Sequence, residues 1–162
     1  MKKIMKLAFL MSAIALVISA CSASKNTVTG TPNVSRGKFT GTWTISTVTY
    51  ESLVENAVQT VFDQGPPASF VGSTWNLTNS GNGTYTMSNG TAQKIFWSVN
   101  NATSNGQAFQ FKKIYEGEKP KNVAEGYQLV VASNDGNTMV LKTPIAIGST
   151  GTGYVVYTFA KK

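Results

Sequence analysis

From Lys38 to the end of the chain, apolar and polar residues alternate with period two, and clusters of glycine, asparagine and serine interrupt the alternation at short intervals. This pattern leaves little freedom, because successive side chains of a strand point to opposite faces and only one of those faces is apolar. The alternation predicts strands at about 39–50, 70–78, 83–88, 94–99, 108–115, 126–133, 138–144 and 153–161. Ser80-Gly81-Asn82-Gly83, Asn89-Gly90, Asn105-Gly106, Asn134-Asp135-Gly136-Asn137 and Gly148-Ser149-Thr150-Gly151 separate them, each suited to the positive φ of tight hairpin turns. Short connections make neighbouring strands antiparallel. Eight such strands can close into an up-and-down barrel, which leaves no exposed edges; a two-sheet sandwich is the alternative.

The same alternation sorts the side chains. Trp43 and Ile45, Trp75 and Leu77, Tyr85 and Met87, Ile95, Trp97 and Val99, Phe109 and Phe111, Tyr127, Leu129 and Val131, and Met139 and Leu141 share the inner face. The last strand is ambiguous, since Tyr154/Val156 and Val155/Tyr157/Phe159 are both apolar sets. Lys113 follows Phe109 and Phe111 on the inner face, where it either binds an acidic head group at the rim or escapes by snorkelling or a bulge. Between the first two strands, Leu53, Val54, Ala57, Val58, Val61 and Phe62 fall at helical spacing before Gly65-Pro66-Pro67. This predicts a short helix in a long first loop, placed to act as a lid.

The front of the chain is different. Lys2, Lys3 and Lys6 precede an apolar run from Leu7 to Ile18, too short for a comfortable membrane span, and residues 1–20 read as an export signal. Ile18-Ser19-Ala20-Cys21 resembles the lipobox of bacterial lipoproteins. The resemblance implies that Cys21 is the acylated N-terminus, carrying diacylglycerol and palmitate; a secreted chain with a free thiol is the alternative. Residues 21–37, low in apolar content, read as the lipidated end and a flexible tether, leaving 38–162 as the barrel domain. In lipoproteins of this kind the residue after the cysteine influences sorting. Ser22 with no acidic cluster behind it places the protein in the bacterial cell envelope, lipid-anchored in the outer membrane and facing the periplasm.

Gly41-Thr42-Trp43 in the first strand resembles the Gly-x-Trp signature of lipocalins. Phe70-Val71-Gly72-Ser73-Thr74-Trp75, Gly83-Thr84-Tyr85 and Gly126-Tyr127-Gln128-Leu129 are similar to stretches of the lipocalin-like lipoproteins of Gram-negative bacteria, over roughly residues 38–162. The resemblance implies that Gly41 and Trp43 close one barrel end and that a basic residue near the last strand, Lys161 or Lys162, covers the Trp43 ring. It also implies a small hydrophobic or amphipathic ligand in the barrel, and Trp75, Trp97, Phe109, Phe111, Lys113 and Tyr127 are the candidate contacts. The same side chains could simply fill the interior, because an eight-stranded barrel is about wide enough for its own residues or for one small ligand.

Most catalytic chemistry is poorly supported. The chain has no histidine and one cysteine, which removes Ser-His-Asp, Cys-His and His-ligated zinc sites. Glu51 and Glu55 are one helical turn apart but fit a solvated face better than a glycosidase pair, and Asp135 alone supplies too few oxygens for calcium. There are 14 Lys and Arg against 7 Asp and Glu, and loss of the three leader lysines leaves an excess of +4, too mild to favour nucleic acid. Lys112, Lys113, Lys119 and Lys121 near Phe111 and Tyr115 imitate a single-strand platform, a partner that export disfavours. The expectation is a monomeric, non-enzymatic, cofactor-free and metal-free lipoprotein that binds a small molecule; the alternative is a protein-interaction scaffold with a filled barrel.

Overall fold

The computed structural model describes residues 33–162. Eight antiparallel strands close into a barrel in strict sequence order. They are β1 (Gly41–Glu51), β2 (Thr74–Leu77), β3 (Asn82–Thr86), β4 (Ala92–Thr103), β5 (Gly106–Lys113), β6 (Tyr127–Asn134), β7 (Thr138–Ile147) and β8 (Gly151–Lys161). The sandwich alternative is thereby set aside. Closure rests on β1, whose Gly41–Thr44 segment pairs with β2 while Trp43–Glu51 pairs with β8. Register shifts between Ile45 and Thr47 and between Val131 and Ser133 bend the sheet into its curve.

The inner face is the one the alternation assigns. Trp43, Trp75, Tyr85, Trp97, Phe109, Phe111 and Leu141 are buried, and the ambiguous last strand resolves in favour of Val155, Tyr157 and Phe159. Rings interlock through the interior: Trp75 stacks on Tyr85 at 4.8 Å between centroids, and Phe111 meets Trp75 edge-on at 5.3 Å. Such offset and edge geometries suit the aromatic quadrupole and fill space without voids.

One end of the barrel is closed by the segment before β1. A 3-10 turn at Arg36–Phe39 places Phe39 against Trp97 and Phe109, and the Trp43 indole N–H donates to the Phe39 carbonyl at 2.8 Å. Lys161 lies over the Trp43 ring at 5.2 Å, whereas Lys162 donates to Thr74. Gly41 has φ +123, and a Cβ there would meet the Lys161 side chain at 2.9 Å, so the glycine both accepts the backbone bend and leaves the lysine its path. Arg36 adds a second cation over Trp97 at 4.1 Å. Gln107 holds Val34 by both amide atoms, accepting from its N–H at 3.0 Å and donating to its carbonyl at 2.7 Å. The packed domain therefore begins by Val34, upstream of the expected boundary at residue 38. The expected export signal, Cys21 and the first part of the expected tether lie outside the described residues.

The helical turns expected in the first loop are 3-10 turns, at Glu55–Ala57 and Pro67–Phe70, and no α-helix forms between β1 and β2. Val54 is exposed while Val58, Val61 and Phe62 are buried, so the apolar residues that mimic a helical stripe are there to reach the barrel, not to line a helix.

Candidate functional site

The loop crosses the barrel end opposite Arg36–Phe39 and turns back sharply on itself. Val61 and Gly65 form an isolated antiparallel bridge, and the Gln64 N–H donates to the Val61 carbonyl at 3.1 Å. The two residues between, Phe62 and Asp63, both lie in the left-handed region, at φ 54 and φ 46. Asparagine and glycine adopt this turn readily, but a phenylalanine there is held against its preference, at a cost of order 1–3 kcal/mol.

Packing holds it. The Phe62 side chain enters the barrel mouth and is 5% exposed. Its ring meets Phe111 at 5.0 Å, Phe70 at 5.3 Å, Tyr127 at 5.4 Å, Tyr157 at 5.6 Å and Trp75 at 6.4 Å. Trp75 is itself oriented by Ser73, whose hydroxyl accepts from the indole N–H at 3.1 Å and donates to the Phe70 carbonyl at 2.6 Å.

Around the ring, polar groups of three strands reach for the same turn. Lys113 donates to the Asp63 carbonyl at 3.1 Å and to the Gln64 side-chain oxygen at 3.2 Å. Tyr85 donates to that same Gln64 oxygen at 3.2 Å, and Tyr127 donates to the Asp63 carboxylate at 2.7 Å. Lys113 neither snorkels away nor sits on a bulge: it pairs in register with Ile95 and is 6% exposed, while Lys112 points outward toward Glu125 at 3.8 Å. Burial pushes the Lys113 ammonium down from its usual range, and the Asp63 charge offsets part of that shift. Burial pushes the Tyr85 hydroxyl up to about 12, helped by Tyr115. Burial, then the hydrogen bond to Asp63 and its charge, raise Tyr127 further. Burial raises Tyr157, and the neighbouring Thr143 hydroxyl offsets part of that shift.

The six side chains expected to touch a ligand thus fall into two groups. Trp75, Phe111, Lys113 and Tyr127 surround the turn. Trp97 and Phe109 pack on Phe39 toward the other end. Between the groups, the space bounded by Ile45, Phe62, Phe109, Leu129 and Leu141 holds no void large enough for a water molecule. A groove of about 280 Å³ runs along the outer side of the turn, between Gln64, Pro66 and Ser69 and the Met87–Asn89 hairpin. Phe62, Asp63, Gln64, Tyr85 and Tyr157 were not among the sequence candidates. The signal that could have found the first three is a phenylalanine set between valine and Asp-Gln-Gly, where a hairpin turn would carry a polar residue.

The arrangement gathers an ammonium, two phenolic hydroxyls and an aromatic wall around one turn. Glu51 is engaged by Lys142 at 2.7 Å and is not free to work with Glu55. The described residues contain no group of three or more His, Cys, Asp or Glu side chains placed to hold a metal. No protein-family model matches the chain, and no curated protein matches it either.

Proposed function

We propose that this protein is a non-catalytic, membrane-anchored, lipocalin-like lipoprotein of the bacterial cell envelope that binds a small amphipathic molecule at the mouth of its barrel. The observation that carries the reading is the convergence of Lys113, Tyr85 and Tyr127 above an aromatic pocket, closed by a turn and not by a strand. Apolar walls with a few convergent polar groups are what small-molecule sites present. Acylation of Cys21 holds the domain at a membrane surface, where amphipathic molecules are concentrated, and several acyl chains make that anchor durable. A Cys21→Ser variant is expected to lose palmitate incorporation and leave the membrane fraction.

The filled centre favours a second reading, in which the barrel is a solid scaffold and its loops contact a protein partner. Native mass spectrometry of the unlipidated chain, purified from the cells that express it, separates the two. A one-to-one small-molecule adduct is the expected result, and consistently bare protein supports the scaffold.

A further inference from the structure

The barrel mouth is unusual in what fills it. An aromatic ring and three acceptor oxygens, all from residues 62–64, meet an aromatic wall and three donor groups from β3, β5 and β6. The turn that presents them adopts a backbone ill suited to phenylalanine. Lys113 is a buried cation whose direct contacts are a carbonyl and an amide oxygen, with no carboxylate within salt-bridge distance among the described residues. The Asp63 carboxylate, held by Tyr127, offsets only part of the desolvation of that ammonium, which remains under-compensated.

We propose that residues 62–64 are an internal stand-in for the ligand. The concealed site takes a flat aromatic molecule bearing an anionic group, and ligand and turn exclude one another. The ring of the ligand occupies the place of Phe62 between Phe111, Tyr127 and Tyr157. Its anionic group takes over the donors of Lys113, Tyr127 and Tyr85, giving the buried ammonium the charge it lacks. The displaced turn swings toward the groove beside it, which is open along Pro66, Ser69 and Met87. Opening releases a strained backbone, so closure is maintained by packing and hydrogen bonds that a ligand of this shape can replace. The inference rests on the binding reading and adds to it the ligand class and the gate.

The test uses the mature chain with Cys21→Ser, which keeps every described residue, and two fluorescent probes of matched rings: 1-anilinonaphthalene-8-sulfonate, an anion, and N-phenyl-1-naphthylamine, which is uncharged. The turn competes in the native protein, so Phe62→Ala is expected to bind the sulfonate about 10-fold or more tighter, at one-to-one stoichiometry and with native near-ultraviolet circular dichroism. The uncharged amine should gain much less, and adding Lys113→Met should erase the difference between the probes. Asp63→Ala removes the Tyr127 contact and leaves the turn its left-handed strain while keeping Phe62; it should strengthen sulfonate binding in the same direction and serves if Phe62→Ala does not fold. Equal gains for both probes overturn the anionic assignment. Unchanged affinity in folded variants, with a native adduct on the wild type, overturns the gate but spares the binding reading. No binding by any folded variant, together with bare native protein, removes both.

Discussion

Replacing Phe62 by glycine and by alanine should reverse the usual order of damage. Either change empties a site in which the ring is 5% exposed and touches five other aromatic side chains. Loss of a buried phenylalanine costs about 3–5 kcal/mol through lost transfer energy and the cavity left behind. On burial alone glycine would be the worse of the two. At φ 54, however, alanine retains the steric conflict of its Cβ, whereas glycine adopts the left-handed conformation freely. The relief is about 1 kcal/mol, the usual left-handed penalty of a residue with a Cβ. Phe62→Ala should therefore lose about 3–5 kcal/mol and Phe62→Gly about 1 kcal/mol less. Urea unfolding of the unlipidated chain, followed by tryptophan fluorescence, measures both, and equal slopes of the two transitions would show that the unfolded states are comparable. If Phe62→Gly proves less stable than Phe62→Ala, the turn is not left-handed in solution. If both lose under 1 kcal/mol, the ring is not packed in the mouth.

Three other outcomes follow from the same contacts. Gln107→Ala strips both hydrogen bonds from the Val34 backbone and should cost about 1–3 kcal/mol, the penalty for buried polar groups left unpaired; trypsin should then cut after Arg36 faster than in the parent chain. Lys161→Ala should cost about 0.5–1 kcal/mol through the Trp43 ring, and Arg36→Ala more, because Arg36 also donates to the Trp97 and Asn79 carbonyls; urea midpoints that rank the two the other way would contradict the geometry. The neutral Tyr85 hydroxyl is favoured by folding, so its contribution is complete below the ordinary value of 10.0 and declines as pH rises from there through about 12. Tyr127 acts in the same sense and Lys113 opposes it, since folding disfavours its charged form. Ultraviolet titration at the phenolate band should show Tyr85 and Tyr127 ionising late, and unfolding should become easier over that alkaline window; normal titration of all tyrosines would mean an open mouth.

Much of the fold can be read without coordinates because period-two alternation is a local property. Each strand declares its inner face through its own residues, and Asn-Gly and Asp-Gly turns declare the reversals. Tyr154 to Phe159 failed this test because both faces carry apolar residues, and only the neighbours across the ladder, Leu141 opposite Tyr157 and Met139 opposite Phe159, select the inner set. The site was half legible. Lys113 and its aromatic neighbours stand out by alternation, yet the residues that occupy the mouth do not. Leu53 to Phe62 carry helical spacing, but Val61 pairs with Gly65, and Phe62 is buried by rings from β2, β5, β6 and β8. No local rule anticipates that.

By itself, the order of residues determined an all-β chain of eight antiparallel strands and the inward face of every strand but the last. Closure of the ring decided the rest. Once β1 pairs with β8, the two barrel ends become distinct. One is sealed by Phe39, Arg36 and Lys161, and the other is left to whatever the longest loop can insert. Burying a ring among five others outweighs the strain of one turn, and that balance exists only when all the contributing strands are in place.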